Sequence, residues 1–176
     1  MEESFTAPAV DPASFHPPPP PAVDPAGAKP SRYPSWVLLD SRAYFADRVN
    51  ATTAKATAST GHEFKVTFCL ADPPAVSYLC VHCPEACYAT EPRVVSSASD
   101  LVFLCFAFSS DPRSTEKDSH LEYFVYKAAS GGKPTIRSVP CPPRAYVHSW
   151  HAAIVPGKAD DFLVADLSPN GDPGRN

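Results

Sequence analysis

The stretch LVFLCFAF at residues 101–108 limits the fold more than any other part of the chain. As a strand it puts Leu101, Phe103, Cys105 and Ala107 on one face and Val102, Leu104, Phe106 and Phe108 on the other, because successive side chains point to opposite sides. Both faces are apolar. Such a strand needs cover on each side, so it belongs at the centre of a layered sheet. Two related runs flank it: VSYLCVHC at 76–83 and LEYFVYK at 121–127. All three are rich in β-branched and aromatic residues, and Pro-, Ser- and Asp-containing connections separate them. The expected class is all-β.

The neighbouring segments fit that class. Residues 63–70 alternate, with Phe64, Val66, Phe68 and Leu70 facing one way and Glu63, Lys65, Thr67 and Cys69 the other, which describes a strand with one wet face. Gly61 supplies a turn before it. Asp72, Pro73 and Pro74 end it, and the short break predicts antiparallel pairing with the run at 76–83. SSASD at 96–100 is a turn signal that makes a hairpin of 93–97 and 101–108. DPRSTEKDSH at 111–120 is a polar loop. Further strands are expected at 36–40, at 136–139 and at 161–167 (DFLVADL). Residues 51–60 alternate Thr and Ala and favour an extended state. SRAYFADRVN at 41–50 fits either a turn of helix or a loop. No amphipathic helix of three turns can be drawn.

Composition divides the chain into an arm, a domain and a tail. Ten of the 22 prolines fall in the first 34 residues. Residues 1–32 read as a disordered Pro-rich arm, which buries too little apolar surface to offset its ordering entropy. Residues 33–167 form the β-rich domain, and residues 168–176 are a disordered tail. PAVDPA occurs twice in the arm, at 8–13 and 21–26. Between the copies, Pro17, Pro18, Pro19, Pro20 and Pro21 favour a polyproline II helix, a stiff ligand for aromatic grooves. They are the candidate partner-binding residues. A low-complexity linker is the competing reading, and the orienting Arg or Lys flanks are missing.

Net charge is −4, and Lys and Arg are scattered. Binding nucleic acid through its phosphates needs a basic cluster, so that partner class is not expected. No apolar run reaches the ~20 residues that span a bilayer. The opening MEESF lacks the features of a secretory signal. A cytoplasmic or nuclear protein is expected, with its six cysteines reduced rather than paired. On the same ground Asn50 of the Asn-Ala-Thr triplet is not expected to be glycosylated.

Cys80, Cys83 and Cys87, with His82 between, are the candidate metal ligands. A Cys-x2-Cys knuckle presents two of the four ligands zinc takes, but no second pair follows. On a strand, Cys80 and Cys83 face opposite ways, because their offset is odd. Core packing as small hydrophobes is the preferred reading, with a redox role as a third. His148 and His151 read as part of a surface loop, since HExxH chemistry needs i, i+4 spacing and a glutamate. Asp160 and Asp161, and the acidic loop at 111–118, lack the pattern of a calcium loop. There is no G-x-S-x-G elbow and no P-loop, so no catalytic residue, metal or cofactor is assigned.

WVLLDSRAYFADR, VTFCLADPPAVSYLCVHCP, DLVFLCFAF, LEYFVYKA and DFLVADL together resemble a plant family, expanded in grasses, that carries the domain of unknown function numbered 1618. The resemblance covers residues 33–167 and the N-terminal part of the family pattern. It implies a strand–turn–strand organisation similar to β-propeller blades of F-box-associated repeats, and no particular activity. A propeller needs at least four blades of roughly 40–45 residues, and about 135 residues give about three. The expected architecture is therefore a partial β-propeller-like or open antiparallel sheet assembly, with only some of the cover that residues 101–108 require. The expected function is a non-catalytic protein-interaction scaffold with a protein partner. The alternatives are a hydrolase-type enzyme with a site assembled from distant residues, and a truncated fragment of a longer family member.

Overall fold

A computed structural model of the chain describes residues 17–18, 35–85, 87–88, 90–109, 121–128, 132–140, 152–158 and 161–166. These residues form twelve strands and no helix: β1 (Leu38–Phe45), β2 (Ala54–Thr57), β3 (Glu63–Cys69), β4 (Val76–His82), β5 (Cys87–Tyr88), β6 (Arg93–Ala98), β7 (Leu101–Phe106), β8 (Phe108–Ser109), β9 (Glu122–Lys127), β10 (Thr135–Val139), β11 (Ala152–Pro156) and β12 (Phe162–Asp166). Eight of them make one sheet in the order β10-β9-β7-β6-β1-β4-β3-β2. The protein is all-β, as its sequence implies.

The sheet curls until its edge strands, β10 and β2, lie against each other, giving a nearly closed barrel. Two hydrogen bonds hold the closure. The Ser59 amide donates to Glu122 Oε2 at 2.8 Å. Tyr126 Oη donates to the Thr52 carbonyl at 2.7 Å. Closure removes most of the unpaired edge that an open sheet would present to other chains.

The interior is aromatic. Phe64 meets Phe106 and Phe124 edge-on at centroid distances of 5.3 and 4.8 Å, and Phe106 stacks on Phe124 at 4.7 Å. Pairs of this geometry contribute about 0.5–1.5 kcal/mol each beyond their buried area. Val66, Leu79, Val81 and Leu104 fill the space around them.

The two faces of β7 divide as their alternation requires. Val102, Leu104 and Phe106 enter the barrel. Leu101, Phe103 and Cys105 pack outward, with Tyr123 and Val125 of β9, against Ala152 and Ile154. Here the expectation of partial cover is corrected. The antiparallel pair β11–β12 lies over the outer face of β6 and β7 as a second layer. The Ile154 amide donates to Ser96 Oγ at 3.0 Å and fixes the hairpin to β6. The chain's own residues thus cover both faces of β7.

Turns fall where the punctuation places them. Ser99 takes the left-handed region (φ 56) in the two-residue connection from β6 to β7. Gly61, at φ 86, turns β2 into β3, and its amide donates to the Ala58 carbonyl. The Asp72 carbonyl accepts from the Ala75 amide between β3 and β4, which pair antiparallel.

β1 differs from its expected form. It runs on through Phe45, so residues 41–45 are strand rather than helical turn or loop. It pairs parallel with β4 and antiparallel with β6. The parallel register slips between Leu39 and Ala43, where Asp40, Ser41 and Arg42 of β1 stand against Tyr78 of β4. Asp40 sits in that bulge and its Oδ1 accepts from the Arg42 amide at 3.0 Å, replacing a lost ladder bond. Ala43 and Phe45 then point inward and Tyr44 outward.

Of the arm, only Pro17 and Pro18 belong to the described residues. The candidates His148, His151 and Asp160, the 111–120 loop, and residues 168–176 lie outside them.

Candidate functional site

The outer face of β1, β4 and β3 carries the chain's most unusual set of side chains. β4 contributes one row along its length: Val76, Tyr78, Cys80 and His82. Register supplies the neighbours. Cys69 lies opposite Tyr78, Thr67 opposite Cys80 and Lys65 opposite His82. On the other flank Leu38 lies opposite Val76 and Tyr44 opposite Cys80. The row grades from apolar at Leu38 and Val76, through aromatic and thiol groups, to His82 beside the Lys65–Asp47 ion pair.

At the charged end, Asp47 takes an ion pair from Lys65 and faces His82 Nε2 at 3.7 Å. The Lys65 hydrogen bond holds the Asp47 carboxyl below the usual carboxylate range. The segment that follows Asp47 folds back over β3. The Arg48 carbonyl accepts from Thr67 Oγ1 at 2.7 Å, and Thr52 Oγ1 donates to the Phe68 carbonyl at 2.7 Å. Asn50 Nδ2 donates to the same carbonyl at 3.1 Å, so the amide of the glycosylation triplet is engaged in the fold. The bond to Arg48 keeps the Thr67 hydroxyl satisfied at 1% exposure.

The centre is a cluster of Tyr44, Tyr78, Cys69 and Cys80. The two tyrosine rings meet edge to face at 5.4 Å. Tyr44 Oη donates to Asp40 Oδ2 at 2.7 Å, so the β1 bulge also anchors this ring. Burial first, then the hydrogen bond to and charge of Asp40, push the Tyr44 hydroxyl up to about 12. Tyr78 is moved up as well, first by burial and then by the neighbouring thiols. Its hydroxyl donates to the Pro18 carbonyl at 2.9 Å, across 60 residues of sequence. Tyr78 is itself 1% exposed, while Pro18 remains open to solvent.

Cys69 Sγ and Cys80 Sγ stand 4.0 Å apart, a thiol–thiol contact rather than a disulfide. A hydrogen bond from the Cys80 thiol draws Cys69 below the ordinary thiol range and holds the Cys80 proton more tightly. Tyr78 has one phenolic proton, and the 2.9 Å geometry places it on Pro18 rather than on Cys69.

The sequence candidates are distributed as follows. Cys80 belongs to this outer cluster and Cys83 to the barrel interior, so the structure does not bring them together. Cys87 is in β5, its backbone paired with Ser109; the position of its side chain lies outside the described residues. Among the described residues, no three His, Cys, Asp or Glu side chains converge as a metal site. Of the five prolines, Pro17 and Pro18 are described, and Pro18 reaches the tyrosine cluster through its carbonyl; Pro19, Pro20 and Pro21 lie outside the described residues.

Sequence reasoning passed over Tyr44, Tyr78, Cys69 and Asp40. One signal was present. If the break at 72–74 makes β3 and β4 a hairpin, then Cys69, Tyr78 and Cys80 share a face. Among the described residues no helix is long and apolar enough to cross a membrane. No family model, curated protein or solved structure matches the chain.

Proposed function

We propose that the protein is a non-catalytic β-rich scaffold that binds another protein through the outer face of β1 and β4. The observation that carries this reading is the pair Leu38 and Val76. They lie directly opposite each other at 43% and 50% exposure, at the open end of a row whose next member, Tyr78, is anchored. Trp36, two residues ahead of Leu38, is 59% exposed. Apolar side chains grouped on a rigid sheet, with polar groups at one end, suit a protein interface. Cys80 makes its sulfur contact with Cys69, and no nucleophile–base hydrogen bond to His82 accompanies it, so the scaffold reading is preferred to a hydrolase.

Kinship with the domain of unknown function 1618 family is part of the proposal, on the five phrases that carry the resemblance. So is a cytoplasmic or nuclear location, which rests on the sequence alone.

Site-specific photocrosslinking tests the scaffold. A benzophenone amino acid is placed at position 38, 76 or 163 of the full chain in cells. Leu163 is 63% exposed on the separate β11–β12 sheet and serves as the control. The same discrete protein adduct is expected from positions 38 and 76 and not from 163. No adduct, or one pattern at all three positions, refutes the reading.

A further inference from the structure

We infer that the Tyr44–Tyr78 cluster is a recognition site for proline-rich segments in the polyproline II conformation, and that its partner is such a segment of another polypeptide. In the structure the chain's own arm holds the site through Pro18. The inference rests on the scaffold reading and names the chemistry of its partner.

A run of prolines has no backbone N–H to donate. Its carbonyls are acceptors, and a polyproline II helix leaves them without internal partners. A protein that recognises it must supply donors set among aromatic surfaces. Tyr78 is such a donor. Its proton goes to the carbonyl of Pro18, a residue inside the five-proline run. Tyr44 supplies the second ring, edge to face with the first at 5.4 Å.

Both rings are held before any ligand arrives. Asp40 fixes the Tyr44 hydroxyl, and Cys69 and Cys80 pack against Tyr78. Little side-chain entropy is therefore lost on binding. The surface also continues past the contact. Val76 lies ~7 Å along β4 from Tyr78, given the strand repeat. One turn of polyproline II advances ~9 Å. A ligand extending by one turn reaches the exposed Leu38 and Val76, which the described part of the arm leaves open.

The arm acts as an internal competitor. A tethered segment presents itself at roughly millimolar effective concentration. A ligand from another chain must displace it, so weak partners are excluded and strong or multivalent ones are admitted.

The probe is the fluorescein-labelled peptide ASFHPPPPPAVDP, copied from residues 13–25. Its binding to the full chain is followed by fluorescence anisotropy. Replacing residues 17–21 by five serines, with every other residue kept, is expected to tighten peptide binding ~10-fold, because the competitor is gone. In that variant, Tyr78→Phe keeps the ring and removes the donor. It is expected to weaken binding ~5-fold with little change in Tm. A probe peptide with serines in place of its five prolines is expected not to bind. The inference is overturned if the serine variant binds no more tightly than the parent, if Tyr78→Phe changes nothing, or if the serine peptide binds equally well. Adducts at positions 38 and 76 without peptide affinity overturn this inference alone. Loss of both overturns the scaffold reading beneath it.

Discussion

Two outer faces of the same sheet are closed in different ways. Over β6, β7 and β9 the cover is a hairpin, β11–β12, that brings Ala152 and Ile154 onto Leu101, Phe103 and Val125. Over β1, β4 and β3 the cover, among the described residues, is a polar segment at Arg48 to Thr53 and the carbonyl of Pro18. The first face excludes water with apolar area, which no small ligand can replace. The second is held by hydrogen bonds, each worth about 1 kcal/mol net. The difference separates a layer that belongs to the core from a cover that can be exchanged.

The comparison can be broken most sharply at Phe103. It is 1% exposed and stacks on Tyr123 at 5.6 Å beneath the hairpin. Phe103→Ala is expected to cost about 3–5 kcal/mol, read as a large fall in the urea midpoint. A loss under 1 kcal/mol would show that the hairpin is not a structural layer. Ile154→Ala, made in the hairpin itself, is expected to cost about 2–4 kcal/mol in the same assay.

Alkaline pH acts on the other face. Tyr44 and Tyr78 both have raised values in the fold, so the fold favours their protonated forms. Stability from such groups is complete below the ordinary tyrosine value of 10.0 and is lost as pH rises through the folded value, about 12 for Tyr44. Thermal midpoints measured across this window are expected to fall, and Tyr44→Phe is expected to flatten the fall. An unchanged slope in that variant would remove Tyr44 from the account.

Smaller effects sharpen the contrast. In the parent chain, where Pro18 holds the hydroxyl, Tyr78→Phe is expected to cost about 1 kcal/mol of stability, since that hydrogen bond is lost and the ring stays. Leu38→Ser and Val76→Thr are expected to stay within about 0.5 kcal/mol, because both side chains are half exposed. A cost above 2 kcal/mol at either position in urea unfolding would make that end of the row a core rather than a surface.

The hairpin-covered face was the more legible of the two. The two apolar faces of residues 101–108 announce two-sided burial, residues 121–127 read as a further strand, and the register between them obeys the alternation residue by residue. Its cover was half visible: β12 lies within the expected strand at 161–167, while AAIVP of β11 is short and ends in a proline, giving little periodicity to read. The tyrosine face was less legible because its geometry depends on long-range register. Cys69 and Cys80 touch only because β3 and β4 pair as they do. The start of β1 falls in the strand expected at 36–40, and its second half was hidden by the bulge. With Asp40 and Arg42 displaced from regular alternation, Ser41 to Phe45 carries no clean period of two. The contact between Tyr78 and Pro18 has no local signature at all.

The parallel pairing of β1 with β4 also sets a timetable. Leu38 leaves the ribosome about 40 residues before its register partner Val76. At synthesis rates of about 5–20 residues per second, that is a wait of roughly 2–8 s. Its other neighbour, β6, comes later still. During that interval the first strand of the barrel is a nascent segment with neither of its sheet neighbours, while β2 and β3 can already zip into a local hairpin. The strand synthesised first is thus inserted late, between two that are made after it.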